Sequence, residues 1–215
     1  MALRCYLTRC HMISWARNRN LHDRLLPAKI MPMKRNLLRW SGILVMLAGL
    51  PALSSAQNSK RLTVPGINNF WFVDKTVSTG GSITSRDLAM PALKKRGIKT
   101  VIDLAGGAES GAERAATEAA GMKYLVFAIN PMTLDPAPIE PFLKAASDPA
   151  NFPVFIHSGN GHRAGMALMI KRVIVDGWTI EKAGIEAAAS GLIDDNAAAP
   201  VWWKFAQDYI MSHKK

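Results

Sequence analysis

Between Val154 and Gly165 the chain reads Val154, Phe155, Ile156, His157, Ser158, Gly159, Asn160, Gly161, His162, Arg163, Ala164, Gly165, and this stretch constrains the fold more than any other. Pro153 to His157 is a nearly continuous apolar run, as expected of a strand covered on both faces. Ala164 to Val175 is apolar apart from Lys171 and Arg172 and predicts a buried helix. The loop between them holds two glycines. Such a loop turns successive backbone N–H groups inward, and the helix start adds its own unpaired N–H groups and the positive end of its dipole. That arrangement is a cradle for a tetrahedral dianion, with Ser158, Gly159, Asn160, Gly161, His162 and Arg163 as its candidate residues. Arg163 is placed to fork two hydrogen bonds onto the anion's oxygens.

The flanking sequence alternates strands and helices from Thr76 onward. Val77 to Thr79 reads as a short strand ended by Gly80 and Gly81. Thr84 or Ser85 caps a helix with Asp87 in its first turn and Gly97 at its end, bent or divided at Pro91. Thr100 to Leu104 and Tyr124 to Ile129 read as strands, with an alanine-rich helix from Glu113 to Ala120 between them. A proline-rich loop around Asp135 leads to a helix from about Ile139 to Ala146. Two more helices follow, near Ile180 to Ala189 and Val201 to Met211. This order predicts an α/β fold, a mainly parallel central sheet flanked by helices, with an all-helical C-terminal tail. Residues 57 to 76 read as a lead-in arm with a turn at Pro65 and Gly66 and an aromatic anchor at Phe70, Trp71 and Phe72, and 77 to 215 as one domain.

The front of the chain predicts export. Residues 33 to 56 combine a basic head, an apolar run of 14 residues from Trp40 to Leu53, and Ser54, Ser55 and Ala56, the layout of a signal peptide cut after Ala56. The apolar run is short of the roughly 20 residues a spanning helix needs, and no later stretch is long enough, so the mature form is expected to be soluble, periplasmic or secreted. Residues 1 to 32 read as translation upstream of a start at Met33 or Met31, or as a long export leader. Residues 1 to 56 hold nine of the 27 basic and one of the 16 acidic residues, which leaves 18 and 15, a charge of +3 rather than +11. A nucleic-acid partner argued from net charge loses its support. Both cysteines, Cys5 and Cys10, also lie there, so the mature chain has no thiol, no disulfide and no cysteine metal ligand.

The run His157, Ser158, Gly159, Asn160, Gly161, His162, Arg163, Ala164, Gly165 resembles the signature of the protein tyrosine and dual-specificity phosphatases. A compact bacterial branch of them spells it His-Cys-x-x-Gly-x-Arg-x-Gly. This chain agrees everywhere except that Ser158 stands at the cysteine. The resemblance extends from Ser78, Thr79, Gly80 and Gly81 through Gly97 to Leu104, and forward through Gly177, Trp178 and Thr179 to Ala183, covering roughly Val77 to Leu192. It implies a phosphatase-like fold, a phosphorylated protein or small phosphorylated ligand, no cofactor and no metal. It implies that His157 shapes the loop, that Ser158 and Arg163 hold the catalytic positions, and that Asp135 stands in for the general acid. A serine hydroxyl ionises many pKa units above a cysteine thiol, so ordinary hydrolysis through Ser158 is expected to be very slow or absent.

Other readings of the same residues are weaker. A dinucleotide-binding turn needs a following strand with an acid, and Gly177 to Thr179 opens a helix instead. A serine-hydrolase elbow needs glycine two residues before the serine, and position 156 is Ile. His157 and His162 are too far apart for one helical face and have no acid near them in sequence, which argues against a metal site. Glu109 and Glu113 read as solvated acids at a helix start, and Trp202, Trp203, Phe205 and Tyr209 as core. Three function classes stay open: a phosphatase with unusual serine chemistry, a pseudophosphatase that binds phosphorylated or sulfated ligands, and a structural envelope protein. Oligomeric state is not legible.

Overall fold

The computed structural model describes residues 59–193 and 198–213. The leader and signal peptide expected over residues 1 to 56 lie outside the described residues. Among those described, no helix is long and apolar enough to cross a membrane.

Six strands form one sheet: β1 (Lys60–Val64), β2 (Ile67–Phe72), β3 (Val77–Gly80), β4 (Thr100–Asp103), β5 (Lys123–Val126) and β6 (Val154–His157), in the order β1-β2-β3-β6-β4-β5. β3, β6, β4 and β5 run parallel, and β1 and β2 add an antiparallel hairpin beside β3. The six helices are α1 (Arg86–Lys95), α2 (Ser110–Ala119), α3 (Ile139–Ser147), α4 (His162–Ile174), α5 (Ile180–Ala188) and α6 (Ala198–His213).

β6 lies between β3 and β4, and all four of its residues are buried. Side chains alternate along a strand, so Val154 and Ile156 face one core while Phe155 faces the other. The first core joins Val154 and Ile156 to Phe142, Met166, Leu168 and Trp202 of α3, α4 and α6. The second joins Phe155 to Phe70, Leu93, Val101 and Tyr124, on the side of α1 and α2. Gly80 and Asp103 are both in register with His157, so the three strand ends meet where the loop begins. In open α/β sheets this carboxyl end is where ligands bind.

Several local expectations change. The stretch read as a lead-in arm is the β1–β2 hairpin, part of the same sheet, with Phe70 buried against Phe155 at 5.3 Å between ring centroids. Period-two alternation is poor there because Asn68 and Asn69 interrupt the apolar run, and pairing with β3 overrides it. α1 continues through Pro91 as one helix; Asp87 and Pro91 are both exposed, so water can take the carbonyl that the missing proline N–H leaves unpaired. α2 begins at Ser110, three residues before the start read from sequence, which puts Glu113 inside the helix on its buried side.

The charged pair inside α4 also finds partners. Arg172 donates to Asp74 (2.6 Å), Glu186 (2.6 Å) and Asp176 (2.9 Å), and its guanidinium stacks 4.7 Å over Trp178. Burial works against its charge, but these carboxylates hold it well above the usual arginine value. The cluster ties the turn before β3 to α4 and α5.

Candidate functional site

The loop from Ser158 to Gly161 is held from outside by the hairpin and the turn after β3. Ser82 N–H donates to the Gly159 carbonyl at 2.7 Å, and the Asn69 side-chain amide donates to the Asn160 carbonyl at 3.3 Å. A trans peptide points its carbonyl and the next N–H in opposite directions. Two carbonyls turned outward therefore turn the N–H groups of Asn160 and Gly161 inward. The Gly161 N–H confirms the sense of the turn by reaching the Ser158 Oγ at 3.3 Å. Gly161 has φ of 102°, in the left-handed region that favours glycine. From it α4 begins, and a helix start presents its N–H groups and the positive end of its dipole.

These donors converge on a cavity of about 190 Å³ lined by Pro131, Ser158, Asn160, Arg163 and Trp202 among others. Ser158 is buried at 1% exposure. Arg163 is aimed by carbonyl oxygens: its Nη1 donates to Leu104 and to Ile129, each at 3.0 Å, and its guanidinium lies 5.9 Å from the Trp202 ring. With Nη1 occupied by the ends of two connections, Nη2 and Nε have no protein acceptor among the described residues; Nη2 comes 3.8 Å from where a Cβ on Gly159 would stand. Burial draws the guanidinium below its usual pKa and the Asp103 charge opposes this, and an arginine stays protonated through either. The arrangement can hold a tetrahedral anion by backbone N–H groups and one charged fork.

Behind the loop lies a buried polar cluster that the sequence reading missed. Strand alternation turns His157 toward α2, where its Nε2 lies 2.7 Å from Glu113 Oε1. The approach is close but off the axis of a hydrogen bond, and among the described residues neither ring nitrogen of His157 has a hydrogen-bond partner. The His157 ring also stacks on Phe155 at 5.5 Å. Glu113, expected as a solvated acid, is thus buried against the histidine that opens the loop, because α2 starts earlier than expected. Asp103 accepts from the Ala105 and Gly106 N–H groups, the Ser110 hydroxyl and the Tyr124 hydroxyl. Burial alone would raise its pKa; the His157 ring, those N–H donors and Tyr124 bring the carboxyl below the usual carboxylate range.

Gly165 has a steric reason. A Cβ there would stand 2.5 Å from the Leu192 backbone nitrogen, where the 191–192 turn crosses the first turn of α4. Asp135 is exposed and accepts from the Ala137 N–H of its own turn at 2.9 Å; Pro131, not Asp135, is the residue of that connection lining the cavity. Trp202 is core, as expected, and also forms a wall of the cavity. Ser82 and Asn69 carried no signal in sequence, since Asn69 is 91 residues from its partner. Among the described residues no cluster of three His, Cys, Asp or Glu is placed to hold a metal ion.

No family model matches the sequence, and no curated protein matches it. Solved structures do. A DUF442 protein of Shewanella putrefaciens is 17% identical with a TM-score of 0.56, over 70% of this chain and 94% of that one. A Cys-to-Ser form of P. aeruginosa TpbA in complex with phosphotyrosine is 21% identical with a TM-score of 0.54, over 72% and 94%. The core catalytic domain of the S. cerevisiae PP-IP phosphatase SIW14, in complex with citrate, is 18% identical with a TM-score of 0.56, over 68% and 88%. With its sheet order, its loop after β6 and these likenesses together, the chain has the fold of the tyrosine and dual-specificity phosphatase-like superfamily.

Proposed function

We propose that this protein is an exported, phosphatase-fold protein that binds phosphate monoesters in the loop from Ser158 to Arg163, with Ser158 at the nucleophile position and hydrolysis very slow or absent. The observation that carries the reading is the orientation of the loop: the Gly159 and Asn160 carbonyls are tied outward by Ser82 and Asn69, which aims the intervening N–H groups at the cavity under Arg163. The Ser158 hydroxyl takes the Gly161 N–H, and the neighbouring His157 is turned away toward Glu113 rather than set beside it as a base. That favours a binding role over serine catalysis. A structural neighbour in a Cys-to-Ser form holds phosphotyrosine, which supports an ester-binding role for a fold of this kind.

Calorimetric titration with phosphate, sulfate or vanadate tests the binding, alongside turnover of a generic aryl phosphate. Absence of binding at millimolar anion would leave the loop a structural turn. Export rests on the signal-peptide layout of residues 33 to 56, and mass spectrometry of the protein from its native host should find an N-terminus at Gln57.

A further inference from the structure

On the outer side of the same loop lies a second cleft, of about 340 Å³, walled by Arg61, Thr63, Asn68, Asn69 and Ser82 together with Gly159 and Asn160. The phosphate cavity is lined by the same two loop residues, so a single turn of backbone separates the two spaces. The walls of the cleft offer hydroxyls, side-chain amides and one guanidinium, and none of its lining residues is acidic. The loop carbonyls that face it are already engaged by Ser82 N–H and Asn69. Arg61 gives one nitrogen, Nη2, to Asn69 Oδ1 at 2.5 Å and rests 5.7 Å from the Trp71 ring. A guanidinium carries five N–H donors, and among the described residues most of them have no protein acceptor.

The β1–β2 hairpin brings Arg61 here. Asn69 holds φ of 49°, a left-handed conformation asparagine tolerates better than most residues, and its side chain links Arg61 on one side to Asn160 on the other. Strand and loop pass so closely that a Cβ on Gly81 would stand 3.0 Å from the Asn68 carbonyl and 3.1 Å from that of Gly159. The cleft is therefore attached to the loop.

We propose that the preferred ligand is a small molecule with two anionic groups, a phosphate ester held under Arg163 and a second phosphate or carboxylate held across the loop by Arg61, with the amides and hydroxyls of Asn68, Thr63 and Ser82 around it. This rests on the phosphate-binding reading of the loop and adds the substrate class. The charge balance supports it: a neutral extension would leave the one cation of the cleft without a counter-charge, whereas a second anion gains charge-assisted hydrogen bonds.

The test is calorimetric titration of the purified protein with inorganic phosphate, with the bisphosphates of ethanediol, propanediol and butanediol, and with a phosphotyrosine peptide flanked by acidic residues. At least one bisphosphate should bind about tenfold more tightly than phosphate, a step of about 1.4 kcal/mol. Arg61→Ala should remove that gain and leave phosphate affinity within about twofold, Arg61→Lys should restore part of it, and added salt should shrink it. Circular dichroism checks that the variants are folded. If phosphate binds but no bisphosphate binds better, or if Arg61→Ala weakens phosphate and bisphosphate alike, the second subsite is wrong while the loop reading stands. If the acidic peptide depends on Arg61 and the bisphosphates do not, the small-molecule assignment is overturned. If neither phosphate nor bisphosphate binds, both readings fall together.

Discussion

Glu113 Oε1 lies 2.7 Å from His157 Nε2, with both side chains nearly enclosed. One comes from the first turn of α2 and the other from the last residue of β6, immediately before the loop. The contact therefore joins α2 to the strand end from which the loop departs. Removing the carboxylate takes away the polar atom closest to a buried imidazole nitrogen. Glu113→Ala is expected to cost about 2 kcal/mol, since it empties space that a buried side chain fills beside the imidazole, and to weaken phosphate binding as His157 shifts. Glu113→Gln, which keeps the shape, should cost less. Urea denaturation of the two variants measures this, and an Ala variant as stable as wild type would reduce the pair to incidental packing.

Arg163 should dominate anion affinity. Arg163→Ala loses charge-assisted hydrogen bonds and is expected to weaken phosphate binding by one or more powers of ten, about 1.4 kcal/mol each. Arg163→Lys should also fall short, because a point charge does not reproduce the planar fork. The alanine variant also frees the Leu104 and Ile129 carbonyls that Nη1 now engages, so a modest loss of thermal stability should accompany it. Equal affinity in wild type and Arg163→Ala would rule out the loop as the binding site.

Ser158→Cys should raise aryl phosphate hydrolysis by about a hundredfold or more, since a thiolate is the stronger nucleophile and the loop N–H groups and Arg163 favour its ionised form. Thiol titration by alkylation rate against pH should place the new cysteine below the ordinary thiol range of about 8.5. A folded Ser158→Cys variant that binds phosphate and stays inert would locate the deficit at the general acid. Asp135, exposed and engaged with its own turn, would then be the group to examine.

Two glycines separate steric need from flexibility. Gly165→Ala drives a Cβ to 2.5 Å from the Leu192 backbone nitrogen, so backbone must move, at an expected cost of about 2–3 kcal/mol. Gly111, in the first turn of α2, has nothing within 4 Å of an added Cβ. Gly111→Ala should stabilise by about 0.4–1 kcal/mol through the unfolded chain. Paired thermal melts decide it, and comparable losses at both sites would contradict the packing described.

Asp103 links stability to acid. Its folded pKa is depressed, so it contributes stability that is fully present above its unfolded value of about 3.9 and is lost as pH falls through the lower folded value. Asp74, depressed beside Arg172 against the opposing effect of burial, behaves likewise. Denaturant midpoints measured downward from pH 6 should fall steeply below about pH 4. Asp103→Asn should lower stability at neutral pH and flatten that decline. An unchanged acid limb in the variant would show that Asp103 does not carry it.

Apart from β1 and β2, the sequence by itself determined the elements and the chemistry that is local to them. A both-faces-covered strand, a two-glycine loop and a buried helix are adjacent in the chain, and their apolar period and glycine spacing are readable without any long-range contact. Hence β6, the loop, α4 and the position of Arg163 were legible, as was the helical tail. Tertiary structure alone decided the rest. Whether Arg61, Asn69 and Ser82 sit beside the loop depends on β1–β2 joining the sheet at β3, which lets Asn68 reach Ser82, 14 positions away, and Asn69 reach Asn160, 91 positions away. Whether Glu113 is solvated or buried turned on a helix start three residues earlier than its sequence suggests, and on strand alternation sending His157 to that face. Composition records which side chains a chain owns. Their meeting is set by register and by which face of each element the core takes, and those are settled only when the whole sheet is assembled.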